Sequence, residues 1–196
     1  MVRIADSKRA ERSDAVANRA RILEAARVVF ALKGLDAEVR EIAERAGVGV
    51  GTLYRHFDSR EGLLTALIQQ AKDDILVRVR AATAGGDPAV ALRTMVHAGA
   101  EACEQFGALT EAALAGRLQH LQEADTGFPE VVRGLLHMGV YDGTFRRDLD
   151  IPVTVGMLRA AFSSGAILEI AARRSYPEAA DAVADFILRA ITAPGP

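Results

Sequence analysis

The segment VREIAERAGVGVGTLYRHF, residues 39–57, carries the strongest local pattern in this 196-residue chain. Ile42, Ala43 and Ala46 recur at i, i+1 and i+4, which places small and branched apolar groups on one face of a short helix. Gly47 supplies a residue that tolerates the left-handed conformation needed to end that helix. A second short helix follows with Leu53 and Phe57 on its inner face. Two helices that cross steeply over a short turn need a residue without bulk at the crossing, and Ala43 meets that need. Val48 and Leu53 clamp the second helix onto the first. Counted from Val39, the small residue is fifth, the glycine ninth and the apolar plug fifteenth, the spacing of a helix-turn-helix. Gly49, Val50, Thr52, Tyr54, Arg55 and His56 then fall on or near the outer face, where a helix can enter a major groove.

The flanks extend this unit. Ile22, Ala26, Val29 and Phe30 form the apolar stripe of a preceding helix, capped by Ser13 or Asp14 and stopped at Gly34. Residues 1–12 are charged and lack helical periodicity, so a mobile basic arm is expected there, with Lys8, Arg9 and Arg12 able to reach phosphates or a minor groove. Downstream, Asp58 with Glu61 reads as a start signal of the capping-box type. Leu64, Leu67, Ile68, Ala71, Ile75 and Val79 then keep the helical period to about Ala82. The run Gly85-Gly86-Asp87-Pro88 is the clearest break, and Pro88 suits a first helical turn. Three divisions are therefore expected: the arm over 1–12, the helix-turn-helix domain over 13–58, and a helical body over 59–196.

Three runs occur in order between Ile22 and Leu67: ILEAARVVFALKG, VREIAERAGVGVGTLYRHF and DSREGLLTAL. Together they resemble the TetR family of transcriptional regulators. The likeness covers about a quarter of the chain; the rest is similar only in helical organisation and size. It implies an all-α protein with an N-terminal three-helix DNA-binding domain and a C-terminal domain for ligand binding and dimerisation. It further implies a homodimer on a pseudo-palindromic double-stranded operator, a repressor in preference to an activator, released by a small molecule. In such proteins a tyrosine placed like Tyr54 meets a phosphate, with His56 and Arg60 flanking it. Arg40, Thr52 and Val50 are placed for base edges, the arginine for guanine and the methyl groups for thymine. The last two helices of the family pair with their symmetry mates in a four-helix bundle, here with Leu158, Phe162, Gly165, Val183, Ile187 and Ile191 at the contact. Two departures stand out. Glu38 occupies the position where family members usually carry a capping Ser or Thr, so Asp36 is expected to take over the cap. Gly49-Val50 replaces the common Ser-Lys of the turn, which shifts phosphate binding onto Arg40, Arg55 and Arg60.

Composition agrees with a helical protein. Half the residues are apolar, tryptophan is absent, and alanine and leucine dominate over alternating β-branched runs. The single cysteine, Cys103, rules out an internal disulfide and fits a reducing compartment. A charged N-terminus without an apolar h-region, and no apolar run of membrane-spanning length, lead to the expectation of a cytoplasmic protein without a membrane partner. Net charge is −2, unevenly spread: residues 1–60 hold twelve Lys/Arg against nine Asp/Glu (+3), and residues 61–196 hold twelve against seventeen (−5). That split suits a basic module on a duplex with an acidic body pointing away, though +3 is a weak bias.

In the body, helices are expected over Pro88 to Phe106 (Leu92, Met95, Gly99, Ala102 and Phe106 inward), Leu109 to Leu121, Phe128 to Gly143, Asp150 to Ala172, and onward from a Ser175–Glu178 capping box. Met95, Phe106, Phe128, Met138, Tyr141, Met157 and Phe162 are candidates for an apolar ligand pocket, or alternatively plain core. His97, Glu101 and Glu104 share a helix face with Arg93; a solvated face with i,i+4 ion pairs is the favoured reading over a metal site. No cofactor, metal or catalytic residue is expected, because nucleophile elbows, phosphate loops and metal-spacing motifs are absent. An all-helical enzyme and a non-DNA helical adaptor remain the competing functions.

Overall fold

The computed structural model describes residues 2–107, 109, 127–161 and 164–193, with only the backbone described for residues 2–13 and 164. The described residues are helical apart from loops, a 3-10 turn at Gly34–Asp36 and one isolated antiparallel bridge between Phe145 and Thr192. The helices are α1 (Val2–Lys33), α2 (Val39–Ala46), α3 (Val50–His56), α4 (Arg60–Thr83), α5 (Pro88–Phe106), α6 (Phe128–Asp142), α7 (Ile151–Ala161), α8 (Ser164–Ala171) and α9 (Tyr176–Ile191). The helix expected over Leu109 to Leu121 lies outside the described residues save Leu109.

The chain divides into two compact units within α4. One holds the chain up to Gln69 together with the segment that begins at Phe106; the other begins at Gln70 and holds the body. The division thus falls about three turns beyond the expected boundary at residue 58, because the first three turns of α4 bury Leu63, Leu64 and Leu67.

In the first unit α1 packs on α2 and α3, and α2 on α3. Ile22, Leu23, Ala26 and Phe30 from α1 meet Ile42, Ala43 and Ala46 from α2 and Leu53 from α3, all buried. The α1 helix begins at Val2, so the segment expected as an unstructured arm is helical. Its first turns lack an apolar stripe, which is why the sequence pattern starts only near Ile22.

The second unit has its own core. Leu92, Met95, Val96 and Cys103 of α5 pack with Val132, Leu135 and Leu136 of α6, Val155 and Leu158 of α7, and Val183, Ile187 and Ile191 of α9. The α5 stripe runs through Val96, Ala100 and Cys103 in place of Gly99, Ala102 and Phe106, which are half-buried. Asp87 accepts hydrogen bonds from the N–H groups of Ala89 (2.8 Å) and Val90 (3.2 Å), capping α5 just ahead of Pro88. The helix expected from Asp150 to Ala172 is described as α7 and α8, on either side of residues 162–163, which lie outside the described residues.

Phe145 closes one end of this core. It is fully buried, its N–H donates to the Gly139 carbonyl (2.7 Å), and Arg146 donates to Ile191 (2.9 Å). The ring lies flat against Gly139: a β-carbon there would sit 2.1 Å from the ring edge. Gly139 is therefore a packing requirement of α6.

The polar face of α5 is tied to other helices. Arg93 binds Asp185 (2.5 Å), His97 contacts Asp181 (3.0 Å), and Glu101 accepts from Arg78 of α4 (3.1 Å). These inter-helix pairs add to the electrostatic interaction of His97 with Glu101 along α5, because α4 and α9 flank it closely enough for carboxylates and guanidinium groups to meet.

Candidate nucleic-acid interface

The outer face of the first unit is built by two caps and one crossing. Glu38 stands at the N-cap of α2 with its backbone N–H donating to the Glu41 carboxylate (3.4 Å), so the cap is not handed to Asp36, which sits in the 3-10 turn. Lys33 also binds Glu41, which holds the Glu41 carboxyl below its ordinary pKa and the Lys33 ammonium above its own. At the other end of α2, Gly47 adopts φ 66° and ψ 36°. Its N–H donates to the Glu44 carbonyl (3.1 Å) and the Val48 N–H donates to Ala43 (3.0 Å), the paired bonds of a Schellman motif. The left-handed glycine reverses the chain, and Gly49 then opens α3, its carbonyl accepting from Thr52 (2.9 Å) and Leu53 (3.1 Å). Leu53 is fully buried and fixes the rotation of α3 on the core.

With Leu53 inward, α3 turns Val50, Gly51, Tyr54 and Arg55 outward, and leaves Thr52 and His56 half-exposed. Gly49 is exposed as well, with open space where a β-carbon would stand, so neither backbone nor packing demands glycine there. Arg40, on α2, is exposed and pairs with Glu44 (3.2 Å). His56 lies at a tilt against Phe57, ring centroids 6.5 Å apart.

Arg60 departs from the expectation. Its guanidinium donates to the carbonyls of Leu35 (2.6 Å) and Ala37 (3.2 Å) and lies over the Phe30 ring (5.3 Å). A fork so engaged holds the approach to α2 in place, which gives Arg60 a structural role within the domain. Its partners are 23 and 25 residues distant in sequence, and no local signal marks them. The start of α4 also differs by one residue from expectation: Ser59, not Asp58, is the cap, its hydroxyl accepting from the Gly62 N–H (2.9 Å).

The comparisons bear on this interface directly. The family model described as bacterial regulatory proteins, tetR family, matches residues 22–67. The HTH-type transcriptional repressor KstR2 of Rhodococcus jostii is 33% identical over 151 residues, 72% of this chain and 74% of that one. The chain belongs to the TetR family. The fold agrees: the ketosteroid transcriptional regulator KstR2 of Mycobacterium tuberculosis superposes with a TM-score of 0.60 at 25% identity, covering 90% of this chain and 95% of that one. A TetR transcription regulatory protein from Mycobacterium vanbaalenii gives 0.65 at 28% identity over 93% and 99%. As a TetR-family member the chain is an all-α transcriptional regulator with an N-terminal helix-turn-helix domain and a helical C-terminal domain.

The residues expected to line a pocket in this regulator differ in exposure among the described residues. Tyr141 is 92% and Met157 68% exposed, whereas Met95 is core. Phe128 and Met138 pack at the core margin, Phe106 falls in the first unit, and Phe162 lies outside the described residues. Four of the expected dimer contacts sit in the core of the second unit. Leu158, Val183, Ile187 and Ile191 are all buried inside their own chain, and Gly165 is half-buried. The opposite face of α9 is the open one: Ala182, Phe186 and Ala190 recur every fourth residue, Phe186 is 72% exposed, and with Asp185 and Arg189 they line a depression of ≈ 490 Å³. Among the described residues, no single helix is long and apolar enough to cross a membrane, and no group of three or more His, Cys, Asp or Glu is placed to hold a metal.

Proposed function

We propose that this regulator is a homodimeric repressor that lays two α3 helices against a pseudo-palindromic operator and leaves it when a small apolar effector binds the body. The observation that supports this most is the outer face of α3, where Val50, Tyr54 and Arg55 stand in solvent on a helix whose rotation is set by buried Leu53. Tyr54 and Arg55 meet phosphates, and His56 supports them. Val50 and the Thr52 methyl pack on thymine. Arg40 reads guanine: its bond to Glu44 is an exposed surface pair worth about 0–1 kcal/mol, which a base contact readily replaces. Gly49 lets the backbone at the helix entry approach the duplex.

The second copy docks on the open face of α9 around Phe186. A large aromatic in solvent between two alanines is suited to close helix–helix approach about a two-fold axis. Half-sites are then spaced by about one helical turn or somewhat more. For the effector, the similarity to the ketosteroid transcriptional regulator makes a ketosteroid the first probe. The body's excess of acidic residues disfavours an anionic ligand.

Selection of binding duplexes from a random pool tests the reading. A recovered pseudo-palindrome, bound with affinity falling steeply in salt, is the expected result. Purified protein indifferent to every duplex at modest ionic strength overturns it.

A further inference from the structure

Most basic side chains described in the helix-turn-helix unit are already engaged by their own domain. Arg27 is held by Glu24 through two bonds (2.9 and 2.6 Å), Lys33 by Glu41, Arg40 by Glu44, and Arg21 by the Asn18 side-chain carbonyl (2.5 Å). Arg60 donates to two backbone carbonyls. Arg45 lies within electrostatic reach of Glu24, whose pKa it helps to lower. Two remain without a carboxylate or carbonyl partner among the described residues, Arg55 and Arg19. The first belongs to α3 itself. The second is on α1, and no motif singles it out.

Arg19 is exposed, yet it is not loose. Its guanidinium carbon lies 5.1 Å from the centroid of the Phe57 ring, the residue that ends α3. Phe57 is buried, and its ring lies at a tilt to that of His56 beside it. A guanidinium laid over an aromatic face keeps its in-plane N–H donors free, and that planar fork is suited to a phosphate oxygen pair. The turn of this chain lacks a basic residue at Gly49-Val50, and Arg60 donates to backbone carbonyls, so the interface has few free positive charges. Arg19 is the described one that is both free and pre-positioned.

We propose that Arg19 is a phosphate-contact residue of the operator interface, its guanidinium pre-set over Phe57 at the C-terminal end of α3. This rests on the operator-binding reading above. Each protomer then neutralises one further phosphate through α1. Because the contact is to the backbone, it strengthens binding to all sequences alike and adds nothing to base discrimination.

The test uses the full-length protein and its selected operator duplex, with an unrelated duplex beside it, titrated from about 50 to about 200 mM salt. Arg19→Gln is expected to reduce the slope of log K against log salt by about 0.9 per protomer, and to weaken both duplexes by the same factor. Arg19→Lys, which keeps the charge and loses the planar stack, restores most of the slope and only part of the affinity. Arg27→Gln, a residue already neutralised by Glu24, leaves the slope unchanged. An Arg19→Gln slope equal to that of the wild type overturns the assignment, as does selective loss of operator over unrelated duplex, which marks Arg19 as a prop for α3. Wild-type protein that binds no duplex fails at a different step, and takes the operator reading and this one together.

Discussion

Phe145 packs directly against Gly139 in the body. A β-carbon at Gly139 meets the ring at 2.1 Å, and the fully buried ring has no room to retreat. Gly139→Ala should therefore cost about 1–3 kcal/mol or more, read as a fall in denaturation midpoint, while a nearby helical glycine with open space, Gly134, tolerates alanine. Arg60 makes a different prediction. Arg60→Lys keeps the charge but loses the fork on Leu35 and Ala37, so it should lower stability by about 1–3 kcal/mol. Operator affinity per folded molecule should barely move; a phosphate-contact residue behaves the other way round. Lys72 is half-buried, and desolvation lowers its pKa. The ammonium thus opposes folding at neutral pH, so Lys72→Met should raise the melting temperature, and a lower one counts against this account of its burial.

At the scale of elements, the turn between α2 and α3 depends on one backbone conformation. Nothing crowds a side chain at Gly47; the obstacle is φ 66° alone. Gly47→Ala should cost about 1–2 kcal/mol from left-handed strain, and Gly47→Asn distinctly less, because asparagine tolerates that region. A circular-dichroism melt of the two variants checks the order. At the start of α9 the Ser175–Glu178 capping box is formed in both directions, the Ser175 N–H donating to the Glu178 carboxylate (2.8 Å) and the Glu178 N–H to the Ser175 hydroxyl (3.4 Å). Those bonds hold the Glu178 carboxyl below its ordinary pKa.

For the whole molecule, the proposed docking of a second copy on the open face of α9 makes the clearest prediction. Phe186→Asp should leave the core intact, since the side chain is 72% exposed, and shift sedimentation at micromolar concentration from dimer toward monomer. Ile187→Asp, one residue on and buried, should unfold the chain instead. Acid should act through paired carboxylates. Arg27 lowers the folded-state pKa of Glu24, and Arg78 lowers that of Glu101. A depressed carboxylate contributes stability above its unfolded pKa of about 4.3 and loses it as pH falls through the folded value. The denaturation midpoint should hold from neutral pH to about 5 and decline below about 4, modestly, because these pairs are exposed.

The helix-turn-helix was legible in sequence because its determinants are local. Ala43, Gly47 and Leu53 lie within fifteen residues of Val39, and each answers a short-range requirement: close approach, a left-handed turn, a plug. The same holds for the breaks at Pro88 and Gly143 and for the Ser175 cap. Helical periodicity also marked which helices are amphipathic, but not which apolar stripe meets the chain's own core. On α9 both faces carry apolar residues, so period alone did not separate Val183, Ile187 and Ile191 from Ala182, Phe186 and Ala190. That choice belongs to α5, α6 and α7, whose side chains arrive from elsewhere in the sequence. The fates of Arg60, Arg19 and His97 are of the same kind. A charge on a helix surface has no assigned partner until packing brings a carbonyl, a ring or a carboxylate beside it, and only the folded chain does that.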